Sequence, residues 1–309
     1  MSSLDAPAGR GIRRSRSRRL ALAGVGLVSA LVLGGCTAAS DDAGADDEPG
    51  PASTSATATP TPTPTPTATG GVKQLPANPV FDYQLGGGYE PPKGVTVVVR
   101  DSTDSPAEGL YNVCYVNAFQ SQPDATWPDV LVVHDAKGEP LADAGWPDEY
   151  ILDISTDDNR QAIVERQAET IAGCAAAGFD AVEFDNLDSY TRAKGAFGLE
   201  AAVTFATSLA AYAHEVGLAV GQKNTPELGD RGATEIGFDF AVSEQCALFD
   251  ECAAYTGPYG DKVLDIEYAD DLRGTFDEIC ANPATPRSVI LRDHDLVPKG
   301  EEGYVYERC

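Results

Sequence analysis

Apolar positions along the chain follow two rhythms. One is a set of short runs rich in Val, Ile, Phe and Tyr: FDYQL (81–85), VTVVVRD (95–101), VCYVNAF (113–119), AVEFDN (181–186), AVGQKN (219–224), FAVSEQ (240–245), VLDIEY (263–268) and SVILRD (288–293). Such runs suit strands buried on both faces. The other rhythm is helical. Over 157–177, Ile163, Val164, Ala168, Ile171 and Ala175 share one face, Ser155 or Thr156 can cap the start, and Gly178 can end it. Over 198–216, Leu199, Val203, Ala206, Leu209, Ala210, Ala213 and Val216 repeat at the same spacing, with Gly217 closing. Strand followed by helix, repeated, implies a parallel sheet. Eight strands in roughly 235 residues predict an α/β fold, a (β/α)8 TIM-type barrel, over 72–309. Two more runs, VLVVHD (130–135) and YILDIS (150–155), are assigned to an excursion of the third βα loop, although either could displace one of the eight. The first two runs leave too little chain between them for a full helix.

Upstream the pattern changes twice. Residues 1–36 read as an export signal, with Arg10, Arg13, Arg14, Arg16, Arg18 and Arg19 ahead of the apolar stretch 20–33. That stretch is short and Gly/Ala-rich for a membrane span, which needs about 20 strongly apolar residues. It ends in Leu33-Gly34-Gly35-Cys36, which resembles the bacterial lipoprotein box and makes Cys36 the expected lipidation site. Ser17-Arg18-Arg19 also resembles a twin-arginine signal. The expected product is an exported monomer, held by its lipid on the outer face of the bacterial cytoplasmic membrane or at the cell surface. Residues 37–71 are rich in Ala, Asp, Thr and Pro, with alternating Thr-Pro over 59–67. This composition cannot bury a core, and its prolines favour an extended stalk at about 3 Å per residue.

Charge narrows the function. The chain carries 22 Lys+Arg against 48 Asp+Glu, a net of −26. This excludes nucleic acid as a partner, because phosphates need a basic footprint. With three histidines and no HExxH, Walker or GxGxxG motif, no metal or other cofactor is expected. The acids instead collect where strands end. Val-Val-Val gives way to Arg100-Asp101, Ala181-Val182 to Glu183-Phe184-Asp185-Asn186, and Ala219-Val220-Gly221 to Gln222-Lys223-Asn224. Three more ends carry Ser243-Glu244-Gln245, Glu267-Tyr268 and Arg292-Asp293. In a barrel these ends form one rim, where active sites are built. A rim rich in carboxylates suits glycoside hydrolysis, which uses one carboxyl group as general acid and an ionised one opposite. Tyr115, Phe119, Tyr190 and Tyr268 could stack on sugar rings or pack in the core.

These residues also carry a family resemblance. GFDAVEFDNLDSY (178–190) and FDFAVSEQCALFDEC (238–252) resemble signature segments of the endo-α-1,4-polygalactosaminidases, glycoside hydrolase family 114. GWPDEYILDI (145–154), CYVNAF (114–119), GLAVGQKN (217–224) and VLDIEY (263–268) match in order, so the likeness covers almost all of 80–309. It implies a (β/α)8 barrel cutting α-1,4-linked galactosamine polymers, which are cationic when their amines are free. It places the catalytic aspartate on Asp185, as nucleophile or charge stabiliser, and the catalytic glutamate on Glu244, as general acid/base. Phe184 stands where the family pattern has a smaller residue, often proline, a departure that bears on the shape of the cleft. Glu183 shares a strand face with Asp185; it is expected to tune a pKa, to bind sugar, or to form a buried ion pair with Lys223. Asp101, Tyr115, Asn186, Asp188, Lys223, Asn224, Glu267 and Asp293 are the further substrate-binding candidates. The acid excess either steers the cationic polymer or keeps the protein soluble.

Six cysteines follow Cys36, and in an exported chain they allow fifteen disulfide pairings. The expected set is Cys246–Cys252 beside Glu244, Cys280–Cys309 at the C-terminus, and Cys114–Cys174. Two other functions compete: a non-catalytic polysaccharide-binding lipoprotein on the same barrel, and a metal-dependent sugar deacetylase using His134, His214 or His294.

Overall fold

The computed structural model describes residues 71–123 and 125–309. The expected signal, Cys36 and the stalk up to residue 70 lie outside them. All eight predicted strands form: β1 Phe81–Gln84, β2 Val97–Asp101, β3 Tyr111–Asn117, β4 Ala181–Asp185, β5 Ala219–Lys223, β6 Phe240–Glu244, β7 Val263–Tyr268 and β8 Ser288–Arg292. Each pairs in parallel with the next in chain order. A short ninth strand, β9 (Tyr306–Arg308), pairs antiparallel with β8. Its three residues, Tyr306 half-buried and Glu307 and Arg308 exposed, are too few and too polar to leave a periodic trace in the sequence.

The helices are α1 Asp157–Ala177, α2 Leu199–Glu215, α3 Cys246–Phe249, α4 Cys252–Tyr259 and α5 Phe276–Ala281. Thr156 caps α1 by accepting from the Asn159 N–H at 3.1 Å, and Gly178 ends it with φ +96°. The barrel's helical ring is incomplete. Among the described residues, 85–96 and 102–110 form no helix, and the β5–β6 connection has only a 3-10 turn (Pro226–Leu228) and a π turn (Gly232–Ile236). The cause is local: Gly86-Gly87-Gly88 and Pro91-Pro92 oppose helix in the first gap, and the second is short. The runs at 130–135 and 150–155 lie outside the barrel, joined by the isolated antiparallel bridge of Val132 with Leu152, and Tyr150 bridges Ala142 in the segment between them.

Strand alternation builds two layers. Tyr83, Val99, Val113, Phe240, Val242, Leu264, Ile266 and Ile290 fill the barrel interior. Val116, Val182, Phe184 and Ala241 face outward and pack with Ile163, Ile171, Phe205, Leu209 and Tyr255 from the helices. Phe184 is therefore part of the outer core. It does not reshape the cleft, because its neighbours Glu183 and Asp185 point the other way. Inside, Gly221 admits the Phe240 ring; a Cβ at Gly221 would lie 2.6 Å from it. The sheet ends meet without a β1–β8 ladder. The buried Arg292 guanidinium spans the seam, donating to the Tyr83 carbonyl and pairing with Asp82 at 3.5 Å.

Three disulfides tie this frame, in the expected pairs. Cys114–Cys174 fastens β3 to α1, Cys246–Cys252 closes the turn between α3 and α4, and Cys280–Cys309 fastens α5 to the final residue.

Candidate active site

Strands β4, β5 and β6 end alike. Asp185, Lys223 and Glu244 point inward at the C-terminal mouth, and each is followed by a left-handed residue: Asn186 (φ 63°), Asn224 (φ 47°) and Gln245 (φ 62°). The reversal turns the chain off the strand and leaves the charged side chain facing the barrel axis. Asparagine tolerates this conformation better than most residues, while Gln245 adopts it at a cost.

Lys223 sits between the two carboxylates. Its Nζ lies 3.5 Å from Asp185 Oδ1 and 3.3 Å from Glu244 Oε2, so those two oxygens are at most 6.8 Å apart. Tyr115 on β3 donates its hydroxyl to Asp185 Oδ2 at 2.6 Å, and the Asn186 N–H donates to Oδ1 at 2.7 Å. Burial by itself would raise the pKa of Asp185, but Lys223, Tyr115, the Asn186 N–H and Arg192 together hold it below the usual carboxylate value. Glu244 accepts from the Tyr268 hydroxyl and, at 3.0 Å, from Asn224 Nδ2; the Asn224 amide oxygen accepts the Glu244 N–H at 2.8 Å. Burial first, and then the adjacent Asp185 or Glu244, pushes the Tyr115 and Tyr268 hydroxyls well above their usual pKa, so both remain donors.

These groups line a cleft of ≈ 370 Å3. Of the expected residues, Asp185, Glu244, Tyr115, Asn186, Asp188, Lys223 and Asn224 line it. Four do not. Glu183 is fully buried below the cleft and accepts the Tyr83 hydroxyl at 2.6 Å. Glu267 falls on the outer face of β7, where it accepts the Ala247 N–H at the start of α3 at 2.8 Å. Asp101 accepts the Thr103 N–H and hydroxyl in the β2–β3 turn. Asp293 accepts the Val297 and Val305 N–H groups and pairs with Arg292. The reasons differ: Glu183 faces inward but deeper in the barrel than Asp185, Glu267 lies on the outward phase of its strand, and Asp101 and Asp293 are held by the turns that follow their strands. Phe119 is also core, edge-on to Phe205, while Tyr190 donates to Glu227 at the rim. The three histidines do not converge: His134, His214 and His294 pair with Asp129, Asp239 and Asp270 respectively.

The cleft also gathers residues that strand ends did not indicate. Trp146 and Glu149 arrive from the β3–α1 excursion, Arg192 from the β4–α2 loop, Phe249 from α3, and His294 from the loop after β8. Arg192 ties the excursion to the β4–α2 loop by pairing with Asp143 at 2.7 Å, and is itself held by Asp188 of its own loop at 2.7 Å. His294 stacks on Tyr268 with ring centroids 4.0 Å apart. Trp146 and Phe249 lie within segments of the family resemblance, the one signal that could have found them.

The profile of Glycoside-hydrolase family GH114 matches residues 61–309. Among solved structures, the chain is similar to Aspergillus fumigatus Ega3 in complex with galactosamine, at 21% identity over 78% of this chain and 99% of that one, with a TM-score of 0.63. It also matches the glycoside hydrolase domain of PelA from Pseudomonas aeruginosa, at 15% identity over 72% and 96% of the two chains, TM-score 0.45. A third match is the GH36 α-galactosidase AgaA from Geobacillus stearothermophilus, at 11% identity over 62% and 35%, TM-score 0.39. No curated protein sequence matches the chain. The Ega3 likeness carries the barrel fold, and the family profile spans the strands, the loops and the carboxylate-lined mouth described above. The chain therefore belongs to glycoside hydrolase family GH114 and is a glycosidase.

Proposed function

We propose that the enzyme cleaves α-1,4-linked galactosamine-containing polysaccharide within the chain, with Asp185 as nucleophile and Glu244 as general acid/base. The observation that carries this is the pair of carboxyl groups facing one open cleft on either side of Lys223. Two of their oxygens lie at most 6.8 Å apart, which accommodates the roughly 5 Å of a double-displacement enzyme. Asp185, held ionised, attacks the sugar C1 as the C1–O bond to the leaving sugar breaks. Glu244 gives its proton to that oxygen. Water then attacks C1, Glu244 takes its proton, and the ester bond to Asp185 breaks. The net result is hydrolysis, with both carboxyl groups restored.

Support for an amino-sugar substrate comes from two sides. Ega3 shares the fold and is seen with galactosamine. The cleft also carries Glu227 and Glu251 beside the central pair, in addition to Asp143 and Asp188 that Arg192 partners, and this excess of acids attracts cations. The test uses defined galactosamine oligomers. Asp185→Asn and Glu244→Gln should each lower kcat by about 10^3-fold or more while oligomer binding persists. Cleavage that survives both changes would move the chemistry elsewhere. A wild-type protein that binds polymer without cutting it would make the barrel a binding module.

A further inference from the structure

Below the cleft floor lies a layer of ionisable side chains that the two-carboxylate mechanism does not use. Tyr83 and Glu183 are both fully buried. The Tyr83 hydroxyl donates to Glu183 Oε1 at 2.6 Å and accepts from Lys223 Nζ at 3.1 Å. Lys223 itself is 2% exposed. An ammonium has three N–H donors, and three acceptors surround this one: Tyr83 Oη, Asp185 Oδ1 and Glu244 Oε2. Its hydrogen bond goes to Tyr83 and its ion pairs go to Asp185 and Glu244, so its charge is directed at the two carboxylates.

Charge counting gives it another task, one that rests on the mechanism proposed above. Before the first step Asp185 is ionised and Glu244 protonated. In the covalent intermediate Asp185 is a neutral ester and Glu244 is ionised. One negative charge has crossed from β4 to β6, and the Lys223 ammonium lies at nearly the same distance from both places, 3.5 and 3.3 Å. A fixed cation so placed stabilises either state without reorganising. We propose that Lys223 is the fixed counter-charge for both halves of the reaction, and that Glu183, acting through Tyr83, is the positioning residue that holds its ammonium between Asp185 and Glu244.

The surroundings of each group agree. Burial by itself would lower the pKa of Lys223, yet Asp185 and Glu244 hold it well above lysine's usual value, so the ammonium persists. Glu183 faces Tyr83 on β1, Tyr115 on β3, Asp185 on its own strand, Lys223 on β5 and Glu244 on β6. Burial pushes it up to about 7, with Lys223 and Tyr83 pulling the other way. Its second oxygen, Oε2, is buried without a hydrogen-bond partner among the described residues, so ionisation would leave a charged oxygen with no donor. When Glu183 ionises, a third carboxylate competes for the one ammonium, and its hold on the migrating charge weakens.

Three variants of the full chain test this. Lys223→Met should lower kcat by about 10^3-fold, with KM for galactosamine oligomers within about two-fold. Tyr83→Phe should lower kcat by about ten-fold with KM unchanged. Glu183→Gln should remove the loss of activity that accompanies ionisation of Glu183 and so move the falling limb of the kcat profile to higher pH. A raised KM with unchanged kcat in Lys223→Met would make Lys223 a sugar-binding residue and overturn the proposal. An unmoved limb in Glu183→Gln would remove Glu183 from it. If Lys223→Met misfolds, the other two variants decide. A readout independent of turnover is the 13C titration of the Glu183 carboxyl carbon, expected near neutral pH and shifted upward in Lys223→Met. A wild type that cuts no galactosamine polymer would sink the proposed function and leave this titration standing; a Glu183 titration unchanged in Lys223→Met would sink the network even where the wild type cuts the polymer.

Discussion

Glu183→Gln also tests how the barrel stores a buried acid. Glu183 has no exposed surface, and its pKa rises from 4.5 to about 7, chiefly because burial penalises the charged form. The unfolded chain gives up this proton near 4.5, so between 4.5 and 7 the folded protein binds more protons and stability falls as pH rises. A shift of this size costs under about 1 kcal/mol at pH 5 and about 3.3 kcal/mol at pH 8, a difference of about 2.5 kcal/mol. Glutamine cannot ionise and keeps the oxygen that accepts from Tyr83. Its amide meets the same empty position as Oε2, and that fixed cost cancels between the two pH values. The buried Asp265–Glu267 pair, also pushed up by burial, is common to both proteins and cancels too. Urea unfolding with disulfides intact should therefore show the variant gaining about 2.5 kcal/mol on the wild type between pH 5 and pH 8, or about 5–10 °C in Tm. A stability difference that stays flat with pH would refute the claim that Glu183 is buried and protonated.

Two more outcomes are expected. Phe249 is 47% exposed at the tip of α3, held between left-handed Gln245 and Asp250 beside the Cys246–Cys252 disulfide, and it lines the cleft. If it is a sugar platform, Phe249→Ala should raise KM for long polymer by about 3–10-fold, the value of one stacking contact, and leave the shortest cleaved oligomers and Tm unchanged; equal effects on short and long substrates would contradict that role. We further propose that the domain is exported and tethered through Cys36, which its three disulfides favour. Cys36→Ser should move the protein from the membrane fraction to the soluble one, and an unchanged distribution would end that idea.

The amino-acid sequence alone was enough for the eight parallel strands, for α1 and α2 with their ends, and for the place of the 130–155 excursion, because these depend on local periodicity and capping. Its family signature segments pointed to Asp185 and Glu244. The hydrophobic pattern alone could not separate Asp185 from Asp101, Glu267 or Asp293, which stand at strand ends that look the same. A carboxylate faces the cleft or the outer layer according to the phase of its strand and the turn that follows, and those are settled only when eight strands share one barrel. Nor could it assign Lys223, whose three partners come from β1, β4 and β6. Electrostatic energy falls with distance in space, whatever the distance along the chain, so the burial, the charge balance and the pKa values of this cluster arise only from closure of the barrel.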